Sequence, residues 1–262
     1  MAGHGLGLVG RVVVVTGASR GLGRSVAARL AEEGCDLALC ARNRGPLVGV
    51  ADELRGRHGV RVHTGAVDVT DHEGLGRFIE QAAEGLGGLH GLVANAGGSR
   101  GGGLAQSTAQ DWVATFDANA VHGATAIRAA LPHFGRTGGG SVVLVSSVSG
   151  WKPSPPAQYA AAKAAVIHMG ACLARELGPA GVRVNVVCPG SMLIPGRRWE
   201  RMMRDDPEGF ERFAGEFPAG RLIDPDDVAA VIAFLLSDQA RAVNGASIPV
   251  DAAQNAPSAD GY

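Results

Sequence analysis

Cysteine is scarce in this sequence of 262 residues, and so are the spacings that build disulfide frameworks or metal sites. The four cysteines form no C-x-x-C pair and are too few and too scattered for a disulfide framework: Cys35, Cys40, Cys172 and Cys188. We therefore expect buried thiols in a reducing cytosol. The eight histidines show neither H-x-x-x-H nor H-E-x-x-H spacing, so no metal site is expected.

An excess of charge of one sign and long apolar runs are also missing. The formal net charge of −1 provides no basic surface for nucleic acid or an anionic membrane. No apolar run approaches the roughly 20 residues of a membrane span. The first residues, MAGHGLGLVG, lack the basic start and the long apolar core of a signal peptide. These absences indicate a cytoplasmic protein without a nucleic-acid or membrane partner.

Short apolar runs alternate with segments of helical spacing along the whole chain. RVVVVTG (11–17) predicts a strand buried on both faces, and SVAARLAEEG (25–34) predicts a helix that ends at Gly34. Further strands are predicted at 35–41, 60–68, 89–97, 140–147, 182–190 and 246–251, and further helices at 46–59, 71–85, 109–134, 157–177 and 225–238. This order predicts an α/β fold, a doubly wound parallel sheet of about seven strands with helices on both faces (a Rossmann fold). No linker or repeat interrupts the pattern, so residues 1–262 are expected to form a single domain.

The segment TGASRGLG (16–23) joins the first predicted strand to the first helix. Gly17, Gly21 and Gly23 let the backbone turn tightly and approach a pyrophosphate, whose charge meets the N–H groups of the helix. Three glycines alone also fit a plain tight turn. Their place after the first buried strand favours dinucleotide binding.

The spacing G-x-x-x-G-x-G resembles the short-chain dehydrogenase/reductase family in its single-domain form. Further family motifs follow in order over nearly the whole chain: Asn95-Ala96-Gly97 after the fourth strand, Asn119 in the next helix, SSVSG (146–150), Tyr159-x-x-x-Lys163, and Pro189-Gly190 after the sixth strand. The resemblance implies that Tyr159 is the general acid for reduction, or the base for oxidation. It also implies that Ser147 binds the substrate oxygen and that Asn119 completes a water-linked proton relay.

Two of these assignments leave alternatives. Ser146 is adjacent to Ser147 and could take its role, and Asn119 could instead be a polar residue that bends a helix. On a helix, Lys163 lies one turn from Tyr159, so its charge should favour the phenolate and lower the pKa of the tyrosine. The resemblance adds that Lys163 holds the nicotinamide ribose.

The end of the second strand bears on which dinucleotide is bound. An NAD enzyme places a carboxylate there for the ribose 2′-hydroxyl, whereas LCARNR has Ala41 and Arg42. Arg20 lies inside the glycine turn, and two guanidiniums suit the 2′-phosphate of NADP. If both arginines are only solvated surface residues, NAD is the alternative. The expected cofactor-binding residues are Gly17, Ser19, Arg20, Gly21, Leu22, Gly23, Arg42, Asp68, Val69, Asn95, Ala96, Gly97, Tyr159, Lys163, Pro189 and Gly190.

The segment 191–217 lies where members of the family carry a substrate lid. Ile194 stands where the family commonly has a threonine that binds the nicotinamide carboxamide, which leaves carboxamide binding open, with Ser191 as a possible substitute. Phe210, Phe213 and Phe217 could form a substrate wall, and the arginines could attract an acidic carrier. We expect the alternative, a helical hairpin that packs on itself and exposes a basic face.

The sequence therefore predicts an NADP(H)-dependent oxidoreductase that interconverts a ketone and a secondary alcohol, with a 3-oxoacyl thioester as a candidate substrate. The alternatives are an NAD-dependent alcohol or sugar dehydrogenase of the same fold and a non-catalytic dinucleotide-binding regulator. The resemblance further implies a homotetramer, or else a dimer, in which helices 109–134 and 157–177 pair between subunits.

Overall fold

Seven parallel strands form one sheet in the computed structural model, which describes residues 5–255. The strand order is β3-β2-β1-β4-β5-β6-β7, and every neighbouring pair is parallel. The order reverses between β1 and β4, where an open α/β sheet leaves a crevice at the carboxyl ends of its strands. The strands are β1 Val12–Thr16, β2 Asp36–Ala41, β3 Val62–Ala66, β4 Gly91–Ala94, β5 Gly140–Val145, β6 Val182–Pro189 and β7 Ser247–Val250.

Helices follow most of the strands and cover both faces of the sheet. They are α1 Gly21–Glu32, α2 Arg44–His58, α3 His72–Leu86, α4 Ala109–Phe116, α5 His122–Arg136, α6 Ala157–Leu177, α7 Arg198–Asp205, α8 Pro207–Ala214 and α9 Pro225–Leu236. The prediction of a doubly wound parallel sheet of about seven strands is confirmed.

The core consists of two apolar layers, one on each face of the sheet. Val13 and Val15 of β1 contribute to the layer under α1, α2 and α9, whereas Val12 and Val14 contribute to the layer under α3, α5 and α6. Successive side chains of a strand point to opposite faces, so a strand between two helical layers must be apolar throughout. The run VVVV of β1 meets this requirement.

The helix predicted over 109–134 occurs, but a π-helical turn interrupts its α-helical geometry. α4 ends at Phe116, a π-helical turn spans Asp117–Val121, and α5 begins at His122. The side-chain Nδ2 of Asn119 donates to the carbonyl oxygen of Thr115, 2.7 Å away, and so competes with the regular backbone hydrogen bond of an α-helix. The other predicted helices and strands occur with ends shifted by a few residues.

The expectation of four buried thiols is wrong for Cys172, which is exposed, whereas Cys35, Cys40 and Cys188 are buried. Gly170 and Ala174 lie on the buried face of α6, and a residue halfway between them points to the opposite face. Within residues 5–255, no helix is long and apolar enough to cross a membrane. In the same range, no three histidine, cysteine, aspartate or glutamate side chains cluster as metal ligands would.

Two glycines inside helices predict opposite effects of substitution by alanine. A Cβ at Gly170 would overlap Cγ2 of buried Val186, because α6 packs closely on β6, whereas a Cβ at Gly49 in α2 meets nothing within 4 Å. We expect Gly170→Ala to lower the free energy of unfolding by about 1–2 kcal/mol. Gly49→Ala should raise it by about 0.5–1 kcal/mol through helix propensity. Urea denaturation at one protein concentration measures both, and a Gly170→Ala variant as stable as Gly49→Ala would contradict this packing.

Candidate functional site

The turn between β1 and α1 is built to approach an anion closely. Gly17 and Gly21 have φ of 70° and 54°, a region that residues with a side chain rarely adopt. A Cβ at Gly23 would lie 2.6 Å from Nδ2 of Asn95, so the turn and the end of β4 are in direct contact. Arg20 provides no side-chain cap for α1, and the first turn of α1 has no acidic residue. Its N–H groups and the positive end of its dipole are therefore available to a phosphate.

Thr16 and Asn95 join the ends of β1 and β4. Thr16 Oγ1 accepts hydrogen bonds from the N–H groups of Asn95 and Ala96, each at 3.0 Å. In return, Asn95 Nδ2 donates to the carbonyl oxygens of Thr16, at 2.9 Å, and of Gly17, at 3.4 Å. Asn95 thus holds the glycine turn in place as well as lining the cleft beside it.

A cleft of about 620 Å³ opens at the carboxyl ends of β1 and β4. Most of the expected cofactor-binding residues line it, namely Gly17, Ser19, Arg20, Gly21, Leu22, Gly23, Arg42, Asp68, Val69, Asn95, Ala96 and Gly97. Other lining residues were not expected from the sequence, among them Thr70, Arg100, Ala118 and Arg197. Pro189 and Gly190 do not line it. The N–H of Gly190 donates instead to the carbonyl oxygen of Val250 at 3.0 Å, at the base of the segment 191–217.

The charge of the cleft is strongly cationic. Among residues 5–255, its lining has four arginines and a single carboxylate, that of Asp68. Asp68 accepts hydrogen bonds from the N–H and the hydroxyl of Thr70, at 3.1 and 2.9 Å. Burial raises the pKa of Asp68, but these bonds and the charges of Arg42 and Arg100 outweigh it and hold the pKa below its usual value. Within residues 5–255, no carboxylate forms an ion pair with the lining arginines, Arg20, Arg42, Arg100 and Arg197.

Tyr159 and Lys163 lie one turn apart near the start of α6, beside the cleft. Lys163 Nζ is 5.6 Å from the centre of the Tyr159 ring and donates to the carbonyl oxygen of Val145 at 2.8 Å. Lys163 is only 3% exposed, and this burial lowers its pKa to about 8. A Cβ at Gly97, which lines the cleft, would lie 3.3 Å from Lys163 Nζ. The ammonium therefore lies directly behind the wall of the cleft.

The expectation that Lys163 lowers the pKa of Tyr159 is wrong when only the groups of the protein are considered. Burial raises the pKa of Tyr159, and a hydrogen bond with Ser147 opposes the rise only in part. The ammonium of Lys163 is engaged by the Val145 carbonyl rather than directed at the phenol oxygen. Desolvation of the phenolate therefore dominates.

The hydroxyl groups of the two adjacent serines have different hydrogen-bond partners. Ser146 is buried, and its hydroxyl donates to the carbonyl oxygen of Lys163 at 2.7 Å, so its hydroxyl is used inside the core. Ser147 accepts a hydrogen bond from the N–H of Ser149 at 3.1 Å, and its side chain is close enough to Tyr159 to oppose the rise of the pKa of the tyrosine. Of the two, Ser147 is the serine that can share a substrate oxygen with the phenol.

Asn119 is buried in the π-helical turn and is bonded to the loop that borders the cleft. Its Oδ1 accepts from the N–H of Gly98 at 3.2 Å, and its Nδ2 donates to the carbonyl oxygens of Gly98 and Thr115, each at 2.7 Å. A Cβ at Gly97 would lie 2.5 Å from Asn119 Oδ1. The side chain of Asn119 thus fixes the loop that lies against Lys163, and the water-linked relay stays a prediction.

The segment 191–217, which we call the lid because members of the family carry a substrate lid at this place, contains the expected helical hairpin, and the prediction of self-packing is confirmed. The rings of Trp199 in α7 and Phe213 in α8 are stacked with centroids 3.7 Å apart, and Phe213 meets Phe217 edge to face at 6.1 Å. Phe217 is itself buried in the core layer under α1 and α9. The rings of Trp199 and Phe213 are therefore used within the hairpin, whereas Phe217 anchors it to the core. The arginines of α7 and α8 lie on the outer surface.

His122 is a buried titratable group that the analysis of the sequence missed. It is 1% exposed, and neither ring nitrogen has a partner of good hydrogen-bond geometry within residues 5–255. Burial, followed by the charge of Lys163, lowers its pKa to about 3. The imidazole is therefore neutral, behind Asn119 and near Lys163. Its position three residues after Asn119 was the only sequence signal that could have identified it.

Comparisons with known proteins match the chain almost from end to end. Residues 17–253 match the family model described as enoyl-(acyl carrier protein) reductase. The chain is 36% identical over 248 residues to meso-2,3-butanediol dehydrogenase of Serratia marcescens, covering 92% of this chain and 93% of that protein. It is 34% identical over 245 residues to 2,5-dichloro-2,5-cyclohexadiene-1,4-diol dehydrogenase of Sphingobium indicum, covering 93% and 96%. L-sorbose reductase of Gluconobacter frateurii, solved with NADPH and L-sorbose, is similar with a TM-score of 0.89 and 30% identity, covering 94% and 97%.

The neutral state of His122 predicts a loss of stability in acid. Its pKa of about 3 in the folded protein lies below the ordinary value of 6.5, so the unfolded chain binds the extra proton first as the pH falls. Because of His122, the free energy of unfolding should fall by about 2–3 kcal/mol between pH 6.5 and 4.5. This group should not change it above pH 7. His122→Leu should abolish this part of the pH dependence in urea titrations. The control His168→Gln removes an exposed histidine of α6 and should retain it. Identical pH profiles for His122→Leu and the wild type would exclude His122 as the cause.

Proposed function

Because the chain belongs to the short-chain dehydrogenase/reductase family, and is therefore an oxidoreductase of alcohols and carbonyl compounds, we propose that it interconverts a ketone and a secondary alcohol with NADP(H). One observation carries the proposal. Ser147, Tyr159 and Lys163 lie together beside a cleft whose arginines have no carboxylate partner within the described residues.

The roles proposed for these side chains are those that the family resemblance implies, and their contacts support them. A bound nicotinamide supplies or accepts the hydride. In reduction, Tyr159 donates the proton to the carbonyl oxygen, and Ser147 stabilises the developing negative charge on that oxygen through its hydroxyl. Lys163 stays largely protonated at neutral pH with a pKa of about 8, and by the resemblance it holds the nicotinamide ribose one helical turn from Tyr159. In oxidation the same groups act in reverse, with Tyr159 as the base.

The preference for NADP rests on the charge at the end of the cleft formed by the glycine turn and β2. Arg20 and Arg42 both line the cleft, and Ala41 occupies the end of β2 where a carboxylate would bind the ribose 2′-hydroxyl. A 2′-phosphate can accept bidentate hydrogen bonds from both guanidiniums. The NADPH complex of L-sorbose reductase is consistent with this preference, and NAD remains the alternative for this chain.

For the substrate, we propose a small ketone or secondary alcohol that carries a further hydroxyl group. The names of the relatives given above include two diols and a sugar. A 3-oxoacyl thioester is the second candidate, favoured by the exposed arginines of α7 and α8, which could attract an acidic carrier. A location in the cytoplasm stays a prediction from the sequence.

We also propose a homotetramer, with a dimer as the alternative. Val113 of α4 is 61% exposed and Val121 is 45% exposed, and both line a groove of about 460 Å³ together with Trp112 and Phe116. Apolar side chains grouped on one helical surface favour a protein–protein contact. This surface belongs to the region 109–134, which the resemblance assigns to the pairing of subunits.

The reaction is tested by the loss of NADPH or NADH absorbance with a panel of 2,3-diketones, hydroxyketones and a short 3-oxoacyl thioester. We expect turnover with NADPH, and a fall of about 10²–10⁴-fold in Tyr159→Phe because the general acid is removed. Binding of NADPH, measured by its fluorescence, should persist in this variant, weakened at most by the loss of the contact between the Tyr159 hydroxyl and the coenzyme. Wild-type protein that binds NADPH but reduces no member of the panel would favour the non-catalytic regulator.

The coenzyme preference is tested by a matched pair of variants in the loop after β2. Arg42 lines the cleft, whereas Arg44, two residues later and also exposed, does not. Arg42→Gln should weaken NADPH binding about 10–100-fold, the value of a charged hydrogen bond, and leave NADH binding unchanged. Arg44→Gln should change neither. Equal weakening of NADPH and NADH by Arg42→Gln, measured by calorimetry, would contradict a 2′-phosphate contact.

A further inference from the structure

A third arginine, Arg197, reaches the cleft from the lid rather than from the sheet. It directly precedes α7 and lines the cleft that Arg20 and Arg42 also line. No family motif in the sequence pointed to it. Arg20 belongs to the glycine turn and Arg42 follows β2, so three separate parts of the chain deliver guanidiniums to one cleft.

The backbone that carries Arg197 is held against the phosphate-binding turn. A Cβ at Gly21 would lie 3.3 Å from Cδ1 of Ile194, so the isoleucine covers the turn directly. The N–H of Leu193 donates to the carbonyl oxygen of Ile223 at 3.3 Å, and the N–H of Arg197 donates to that of Ile194 at 3.1 Å. These contacts place the first residues of the lid over the glycine turn.

The charges around Arg197 are unbalanced. Burial, and then the positive charges of Arg20 and Arg201, lower its pKa below the ordinary value. Within residues 5–255, neither Arg20 nor Arg197 forms an ion pair with a carboxylate. The carboxylate of Asp68, the only one that lines the cleft in the described part of the chain, is hydrogen-bonded to Thr70. Like charges at short range repel, and an anion with several acceptor oxygens relieves the repulsion.

We propose that Arg197, together with Arg20 and Arg42, binds the 2′-phosphate of NADP(H) and so fastens the lid to the coenzyme. The inference rests on the proposed use of NADP(H). A phosphate offers three terminal oxygens and up to two negative charges, enough for more than one guanidinium. NAD(H) lacks this group, so it binds without holding Arg197. One side chain thereby contributes to coenzyme choice and to the position of the segment that covers the substrate.

The experiment compares 2′,5′-ADP with 5′-AMP, which differ only in the 2′-phosphate, by calorimetry, which needs no substrate. Arg197→Gln should weaken 2′,5′-ADP binding about 10-fold and leave 5′-AMP binding unchanged. Arg197→Lys retains the charge but not the planar guanidinium. Its affinity for 2′,5′-ADP should lie between those of the wild type and Arg197→Gln. Arg201→Gln removes the same charge one turn further along α7, outside the cleft lining, and should change affinity by less than about twofold. Thermal unfolding of each variant without nucleotide establishes that it is folded.

Limited trypsin digestion provides a readout of the lid. Cleavage after Arg198, Arg201 and Arg204, followed by mass spectrometry, should slow with saturating 2′,5′-ADP in the wild type and stay unchanged with 5′-AMP. In Arg197→Gln, saturating 2′,5′-ADP should no longer protect these sites.

The outcomes separate the two proposals. Equal affinity of the wild type for both nucleotides would refute NADP preference, and the role of Arg197 would fall with it. A preference for 2′,5′-ADP that survives Arg197→Gln would overturn the role of Arg197 alone. If Arg197→Gln weakened the binding of both nucleotides equally, Arg197 would contact the 5′-phosphate, and the inference would also be overturned.

Discussion

The hydrogen bonds between Thr16, at the end of β1, and the residues that directly follow β4 hold together the point at which the order of the strands reverses. Thr16 Oγ1 accepts from two successive N–H groups, and Asn95 returns a bond to the Thr16 carbonyl. The glycine turn is fixed on one side of this junction and the loop from Ala96 to Gly98 on the other. That loop is fixed in turn by Asn119, which lies behind it in the π-helical turn. The two walls of the cleft therefore depend on a small set of polar contacts, those between the ends of β1 and β4 and those of Asn119.

The same junction separates two electrostatic environments. On the side of β2 and the lid, arginines lie at the surface of the cleft without carboxylate partners among the described residues, where solvent screens them until an anion arrives. On the side of α5 and α6, Lys163 and His122 are buried, and desolvation lowers the pKa of both groups. Cations at the surface of the cleft are suited to binding phosphates. The buried ammonium of Lys163 is suited to a role in the transfer of a single proton. Burial decides which task each group can perform.

The lid departs most from the pattern of the family. Ile194 replaces the usual threonine and packs over Gly21, while Ser191 is bound to Gln254 through its N–H at 2.8 Å and its hydroxyl at 3.2 Å. Stacking of Trp199 on Phe213 makes the hairpin a unit of its own. Its contact with the rest of the molecule is concentrated at its two ends, near Ile223 and in the core around Phe217. A segment anchored in this way can carry a charged residue to the cleft without contributing a strand or helix to the fold.

The amino-acid sequence by itself determined the fold class, the glycine turn and the spacing of Tyr159 and Lys163, because all three depend on neighbours within one strand, turn or helix. Periodicity separates helices from doubly buried strands, and glycine marks the turns that need a positive φ. Only the tertiary structure decided the π-helical turn at Asn119, the pKa of Tyr159, the isolation of His122 and the approach of Arg197 to Arg20. These features arise between residues that are distant in the chain, or from the desolvation of buried groups. Neither leaves a periodic signal, since both depend on how the layers pack.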